Sequence, residues 1–404
     1  MRIAIISDFF LDYVGGAQSS ILEQKASLEA GGHTVYLIAA VSRTRGNVDA
    51  VDLAIHAPFT VPGLLLPVVS NTPRLVRQLA EYFYAEGIQV VHPQTEFGLA
   101  HAAVTAANEL GLPVVHTVHT FYWQSSGVGP TLAAPVMKAL LQRVTRTRFP
   151  TTRFTGRPSD DTLRNLTAAL AERADVVVSP SEHQGADLSA AGIQSPVVIV
   201  PNPISRSPRP AELLAADAPA RFLWVARCEP EKRPLVFAAA ALEALTTADF
   251  EVDFVGDGSH LEELRALVKD EPRIRVHGNL DHEAVLDLID ASSMVALTSY
   301  GFDNQPMTIA ESVSRLRGVL FCDPKLREGL GDSGYLSATP DATGLAEALV
   351  ALTAAGRLQE LSLGAQKDAV TFSAATYVER ILAAYKQAAR AVAARSSEAQ
   401  QASE

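Results

Sequence analysis

Short, continuous runs of apolar and β-branched residues recur along the chain, and stretches of helical period separate them. In the first half the runs are Ile3–Ile6, Val35–Ala40, Val90–His92, Val114–Val118, Val176–Ser179 and Val197–Val200. They are unbroken rather than alternating, as strands covered on both faces should be. A helical segment such as Ala17–Ala30 lies between two of them and is stopped by Gly31-Gly32. The second half repeats the arrangement with Phe222–Ala226, Val252–Val255, Ile274–His277, Met294–Thr298 and Val319–Cys322. Helices Leu261–Val268 and Glu283–Ala291 separate these strands. The pattern predicts an α/β protein of two doubly wound parallel sheets. Pro201, Pro203, Pro208, Pro210 and Pro219 crowd one stretch, which marks the boundary between the halves.

Length and composition agree with that picture. The chain has 404 residues, 48% of them hydrophobic and 20% charged, which suits a globular protein of two domains. A net charge of −11 gives no global basic field, so a general nucleic-acid binder is excluded. Cys228 and Cys322 are too few for a disulfide framework or a Cys-rich zinc site, and a reducing cytosol fits them best. The start, Met-Arg-Ile-Ala-Ile-Ile-Ser-Asp, reads as a first buried strand rather than a signal peptide. The longest apolar run, Phe59–Val69, contains Pro62 and Pro67 and falls short of the ~20 residues of a spanning helix.

Candidate chemistry collects where strands end. Gly15-Gly16 precedes a helix, where bare backbone can approach an anion; a flexible turn is the competing reading. Arg227 and Lys232 follow the strand Phe222–Ala226 and offer a fork and a point charge suited to a diphosphate. Spacing alone leaves them as readable as a solvated loop paired with Glu229 and Glu231. Ser299–Glu311 runs from a strand end through a polar loop into a helix, whose first N–H groups, around Met307 to Ile309, would face a ligand. Asp303 and Glu311 lie in this segment, eight positions apart; Glu311 alone is an ordinary acid near a helix start. His116 and His119 sit at another strand end. The histidines show no spacing that supports a metal site.

In this order, several segments resemble the retaining GT-B glycosyltransferases of family GT4. They are the Asp8…Gly15-Gly16 loop, His119, Ser179-Pro180-Ser181, Pro201-Asn202-Pro203, Ala226-Arg227…Glu231-Lys232, Val255-Gly256-Asp257-Gly258 and Asp303–Glu311. The likeness runs from Arg2 to about Tyr335. It implies two Rossmann-like domains facing across a cleft: residues 1–202 on the acceptor side and 203–375 on the donor side. A helix at about 376–395 would cross back to the first domain, and 396–404 would be a flexible tail. It further implies that Arg227 and Lys232 hold the donor diphosphate and support the leaving group. Glu311 would bind the ribose. Asp303 takes the first place of the family's acidic pair, where Glu is usual, one methylene longer. His119 would stand near the transferred sugar and help stabilise an oxocarbenium-like state. Gly16, Gly256, Asn304, Gln305, Met307, Thr308 and Ile309 would complete the donor site. No divalent metal is expected, because the cations replace it, and front-face attack leaves Asp303 without a nucleophile's role.

His92-Pro93-Gln94-Thr95-Glu96-Phe97-Gly98 and Val115-His116-Thr117-Val118-His119-Thr120-Phe121-Tyr122 look like bacterial diacylglycerol glucosyltransferases and related lipid glycosyltransferases. Between Lys138 and Arg164 stand seven cations, Arg143, Arg146 and Arg148 among them, against Asp160 and Asp161, with apolar residues interleaved. Such a segment suits an anionic bilayer; a solvated helix and loop is the competing reading. The expected function is hexose transfer from a nucleoside-diphosphate sugar, of GDP-mannose or UDP-glucose type, to a membrane lipid or lipid-linked glycan. That places the protein in the cytoplasm, peripheral on the inner face of the plasma membrane. Transfer to a soluble oligosaccharide or metabolite, or nucleotide-sugar binding without transfer, are the alternatives.

Overall fold

The structure is a computed structural model. It describes all residues but 13–14, 47, 62–65, 120, 122–128, 206–209, 302 and 402–404; at 129, 130, 399 and 400 it describes the backbone alone. Pro62, Thr120, Tyr122, Pro208 and the last three residues of the expected tail therefore lie outside the described residues. The chain folds as two compact units: Met1–Asn202 with Ala374–Glu404, and Pro203–Ser373.

The first unit opens with β1 (Arg2–Ser7), α1 (Gly16–Ala30), β2 (Thr34–Val41), β3 (Leu53–His56), the antiparallel hairpin β4 (Phe59–Val61) and β5 (Leu66–Val68), and α2 (Pro73–Ala85). It continues with β6 (Val90–Pro93), α3 (Gly98–Glu109), β7 (Val115–Thr117), α4 (Gly129–Thr145), α5 (Pro158–Ala171), β8 (Val176–Ser179), α6 (Glu182–Ala190) and β9 (Val197–Ile199). Strands β3-β2-β1-β6 form one parallel sheet and β7-β8-β9 another, and Val91 bridges Val114 between them. Alternate residues of β1 serve two cores. Ala4 and Ile6 pack with Leu79, Phe83 and Leu99. Ile3 and Ile5 pack with Ile21 and Leu28 of α1 and with Tyr377, Ile381 and Tyr385 of the C-terminal helix.

The second unit holds β10 (Arg221–Val225), α7 (Pro234–Ala244), β11 (Glu251–Val255), α8 (Leu261–Val268), β12 (Ile274–Gly278), α9 (His282–Ala291) and β13 (Met294–Leu297). Then come α10 (Met307–Ser314), β14 (Gly318–Phe321), β15 (Gly334–Leu336), α11 (Ala342–Leu352) and α12 (Arg357–Asp368). Helix α13 (Ala374–Gln401) returns to the first unit. All six strands are parallel, in the order β12-β11-β10-β13-β14-β15. Both units are Rossmann-like, and the architecture is that of the GT-B class.

One expectation is corrected, and short strands are added. Residues 396–401 continue α13 rather than fraying at Ser396, since an Ala-, Glu- and Gln-rich run favours helix. Strands β3, β4, β5 and β15 are not among the sequence-predicted strands: each is only three or four residues long and partly exposed, too short to show a continuous buried run.

Candidate functional site

In a doubly wound sheet the ligand crevice opens at the carboxyl ends, where the strand order reverses. In the second unit that point lies between β10 and β13, which are neighbours with β11 on the far side of β10. The loops following β10 and β13 carry Arg227, Lys232 and Asp303, and they do meet. The Lys232 ammonium donates to Asp303 Oδ1 at 2.5 Å and Oδ2 at 2.7 Å, with side chains only 16% and 11% exposed. The shorter Asp thus still reaches the cation. Lys232 is set from behind: Trp224 Nε1 donates to Thr298 Oγ1 (2.9 Å), which donates to the Lys232 carbonyl (2.7 Å). Arg233, in left-handed backbone at φ 57°, reaches the carbonyls of Thr298 and Pro340.

Arg227 is placed differently. Its guanidinium is 54% exposed and bonds Glu231 at 2.9 Å, so half of the solvated-loop reading holds. Glu229 turns instead to Ser259, whose hydroxyl and N–H hold its carboxyl below the usual range. The backbone under Arg227 rests on the loop after β11: Cys228 N–H donates to the Asp257 carbonyl (2.9 Å) and His260 N–H to the Cys228 carbonyl (2.8 Å). Gly256, at φ 136°, lets Ala226 approach so closely that a Cβ there would lie 1.8 Å from the Ala226 oxygen.

Glu311 stands one turn inside α10, 15% exposed, and accepts from His282 Nε2 at 3.1 Å. His282 opens α9 and is a site residue the sequence did not signal, because nothing in its spacing ties it to Glu311. Met307 and Thr308 begin α10, so their N–H groups have no partner within the helix. The expectation for Ile309 is corrected: its N–H bonds the Pro306 carbonyl at 3.0 Å, and its side chain is buried in the core beneath. Gln305 is buried and Asn304 partly so. Gly301 N–H donates to Asp323 (2.6 Å), tying this loop to the end of β14.

In the first unit the order reverses between β1 and β6. Buried Asp8, after β1, accepts from Thr95 Oγ1 (2.7 Å), Leu99 N–H (2.7 Å) and Ala100 N–H (3.2 Å), capping α3 and closing the loop after β6. Burial pushes its carboxyl up against these bonds. Gly16 begins α1, and a Cβ on it would meet nothing within 4 Å. His119 lies partly buried just beyond β7, with Nε2 2.7 Å from Gln94 Oε1. Its packing, and then His116, hold the imidazole down at about 3, so it is neutral at pH 7. His116 is fully buried and donates through Nδ1 to the Pro93 carbonyl (3.1 Å), a structural role.

The expected cationic segment divides. Lys138 folds back onto the Pro150 carbonyl (3.3 Å) and the Phe149 ring (5.6 Å), and Arg164 lies over Phe121, so neither faces outward as a surface cation. Arg143, Arg146 and Arg148 are exposed, as are Arg153 and Arg157. Beside them α4 presents Leu132 (77% exposed), Val136 (72%) and Leu140 (58%), a stripe at a spacing of four. Among the described residues no helix is long and apolar enough to cross a membrane.

The sequence profile of Glycosyltransferase Family 4 matches residues 14–207, and that of Glycosyl transferases group 1 matches 219–355. The chain is 30% identical over 131 residues to the alpha-monoglucosyldiacylglycerol synthase of Acholeplasma laidlawii, an alignment covering 30% of each. Over 127 residues it is 30% identical to the phosphatidylinositol N-acetylglucosaminyltransferase GPI3 subunit of Saccharomyces cerevisiae, covering 30% of this chain and 27% of that one. The matches thus span less than a third of these curated relatives' length. Among solved structures, Anabaena Alr3699/HepE in complex with UDP superimposes with a TM-score of 0.66 at 14% identity, covering 96% of this chain and 100% of that one. The chain belongs to the family 4 glycosyltransferases, its two halves matching the two glycosyltransferase profiles in order.

Proposed function

We propose that the protein transfers a hexose from a nucleoside-diphosphate sugar to a hydroxyl acceptor on a membrane lipid or lipid-linked glycan, with retention of configuration. The observation that carries the reading is the Lys232–Asp303 pair at the strand-order reversal of the second unit. A cation held there by a carboxylate is in place for a diphosphate, and Asp303 is in place for sugar hydroxyls once the phosphate takes over Lys232. Arg227, on an exposed arm, swings from Glu231 to the same phosphates. Together the cations do the neutralising that a divalent metal does elsewhere. Glu311 takes the ribose diol, exchanging its bond from His282 for hydroxyl donors. The N–H groups of Met307 and Thr308 add partial positive charge. Neutral His119 supports the sugar as positive charge develops on it.

A thermal-shift panel of UDP, GDP and ADP tests the donor site. A nucleotide at 100 times its Kd stabilises by about 2.7 kcal/mol, so one base should stand out. The sugar donor of that base should then yield free nucleoside diphosphate. No shift with any member overturns the reading.

The lipid acceptor is supported by the lipid named in both curated relatives and by the stripe on α4. Exposed Arg143, Arg146 and Arg148 contribute roughly 1 kcal/mol each against an anionic surface. The protein should co-sediment with phosphatidylglycerol vesicles at low salt and be released at high salt. Leu132→Glu/Leu140→Glu should weaken that partition at least about tenfold, from the lost apolar burial alone. If the unmodified protein stays in solution with both neutral and anionic vesicles, the membrane reading fails.

A further inference from the structure

Behind His119 runs a chain of buried side chains that the proposed chemistry does not touch. Gln94, just after β6, is fully buried, as are Gln24 and Ser20 of α1 and His92 of β6. Gln94 Nε2 donates to Gln24 Oε1 at 2.8 Å and lies 3.1 Å from His92 Nε2. Tyr377 of α13 donates its hydroxyl proton to the same Gln24 Oε1 at 2.8 Å. Gln24 Nε2 donates to Ser20 Oγ (2.9 Å), and Ser20 donates to Asn202 Oδ1 (2.6 Å). A second branch joins His92 Nδ1 to Tyr385 of α13 (2.8 Å) and His92 Nε2 to Thr117 Oγ1 (2.7 Å). The outer members, Asn202 and Tyr377, flank the two places where the chain passes between the units. There Ile204 pairs with Ser373.

The polarity of this chain has a chemical consequence. An amide nitrogen can only donate and an amide oxygen only accept. The two hydrogens of Gln94 Nε2 are directed at Gln24 Oε1 and His92 Nε2, so the atom that faces His119 is the oxygen. His119 Nε2 must then carry the proton, which in a neutral ring leaves Nδ1 bare. No bond to Nδ1 is found among the described residues.

Resting on the reading of His119 given above, we propose that Gln94 is the positioning residue of that imidazole. Backed by Gln24 and the C-terminal helix, it fixes the Nε2–H tautomer and offers the substrate an accepting Nδ1. His119 then acts on the sugar as a hydrogen-bond acceptor and a negative dipole end, not as a proton donor to the leaving group. A carbonyl behind a working imidazole sets tautomer and ring orientation in the way outer partners do in other sites.

The test is spectroscopic first and needs no ligand. Long-range proton–nitrogen spectra of histidine-labelled protein at pH 7, with His119 assigned by its loss in His119→Asn, should show one neutral Nε2–H species. Gln94→Leu should give a mixture of tautomers. Nucleoside diphosphate release from UDP-glucose or GDP-mannose, whichever the unmodified protein turns over, should fall about 10–100-fold in kcat with the donor KM little changed. If Gln94→Leu fails to fold, Tyr377→Phe, which loses only a hydroxyl, should show the same admixture and loss to a smaller degree. A single Nε2–H species retained in the variant that folds overturns the proposal, as does an Nδ1–H species in the unmodified protein. A mixed tautomer with unchanged kcat overturns the role in turnover but leaves glycosyl transfer standing on Lys232. If neither donor is turned over, it is the functional reading that has failed, and the spectra alone decide whether Gln94 sets the ring.

Discussion

Lys232→Ala is expected to lower nucleoside diphosphate release about 10³-fold, roughly 4 kcal/mol in the barrier, while the protein remains folded. The Lys232 side chain is 16% exposed, against 54% for Arg227, and Thr298 and Arg233 fix the backbone that carries it. It is therefore preorganised where the departing diphosphate gathers charge, and no solvent rearrangement replaces it in time. Removing it also leaves Asp303, only 11% exposed, without its cation, at a cost of about 1–3 kcal/mol in stability. The two effects separate in Lys232→Ala/Asp303→Asn. Thermal melts should recover most of the lost stability, because the uncompensated carboxylate is gone. Turnover should stay low, because no cation has returned. Lys232→Arg keeps the charge but spreads it over a planar fork, and should retain only part of the rate. Turnover in Lys232→Ala within a few-fold of normal would remove the diphosphate clamp from the mechanism.

Much of this site was legible because it sits where sheet topology concentrates chemistry. Continuous apolar runs located the inner strands of both units within a residue or two, and the segments that follow those runs included Arg227, Lys232, Asp303 and His119. Strand order was not legible. The pairing of β10 with β13, from Phe222 against Met294 to Trp224 against Ala296, makes the loops after these strands neighbours and brings Lys232 to Asp303 across 71 positions. Partners supplied by distant segments were missed for the same reason. His282 reaches Glu311 from another helix, and Tyr377 reaches Gln24 across 353 positions. One signal was present and unread. Ser20 and Gln24 share the buried face of α1 with Ile21 and Leu28, and polar side chains on a buried helix face need partners. The basic segment shows the opposite limit. Charge counting could not tell that Lys138 turns back onto Phe149 while Arg143 and Arg146 stay outside.

Two glycines at strand-to-helix connections should respond to alanine in opposite ways, and the contrast tests how the fold builds the donor loop. At Gly256 the backbone holds φ at 136°, a region closed to L side chains, and the new Cβ would fall 1.8 Å from the Ala226 oxygen. Neither contact can yield cheaply. The Ala226 N–H is bonded to the Val255 carbonyl at 3.2 Å, and Cys228 N–H to that of Asp257 at 2.9 Å. Backbone strain and overpacking together put Gly256→Ala at about 3–5 kcal/mol, a large share of the stability of an ordinary domain. Whatever remains folded must have pushed Ala226–Glu229 away from the loop after β11, carrying Arg227 with it, so nucleotide binding should fall in the surviving fraction too. Gly16 begins α1 with open space around it, and alanine there should leave the stability unchanged or raise it by about 0.4–1 kcal/mol. If its bare backbone serves to admit substrate, Gly16→Ala will lose turnover at full stability. Denaturant titration of both variants beside a donor-release assay separates the two cases. A Gly256→Ala protein as stable as the parent would mean that the loop bearing Arg227 is not seated on Gly256, and the geometry of the donor site would have to be redrawn from there.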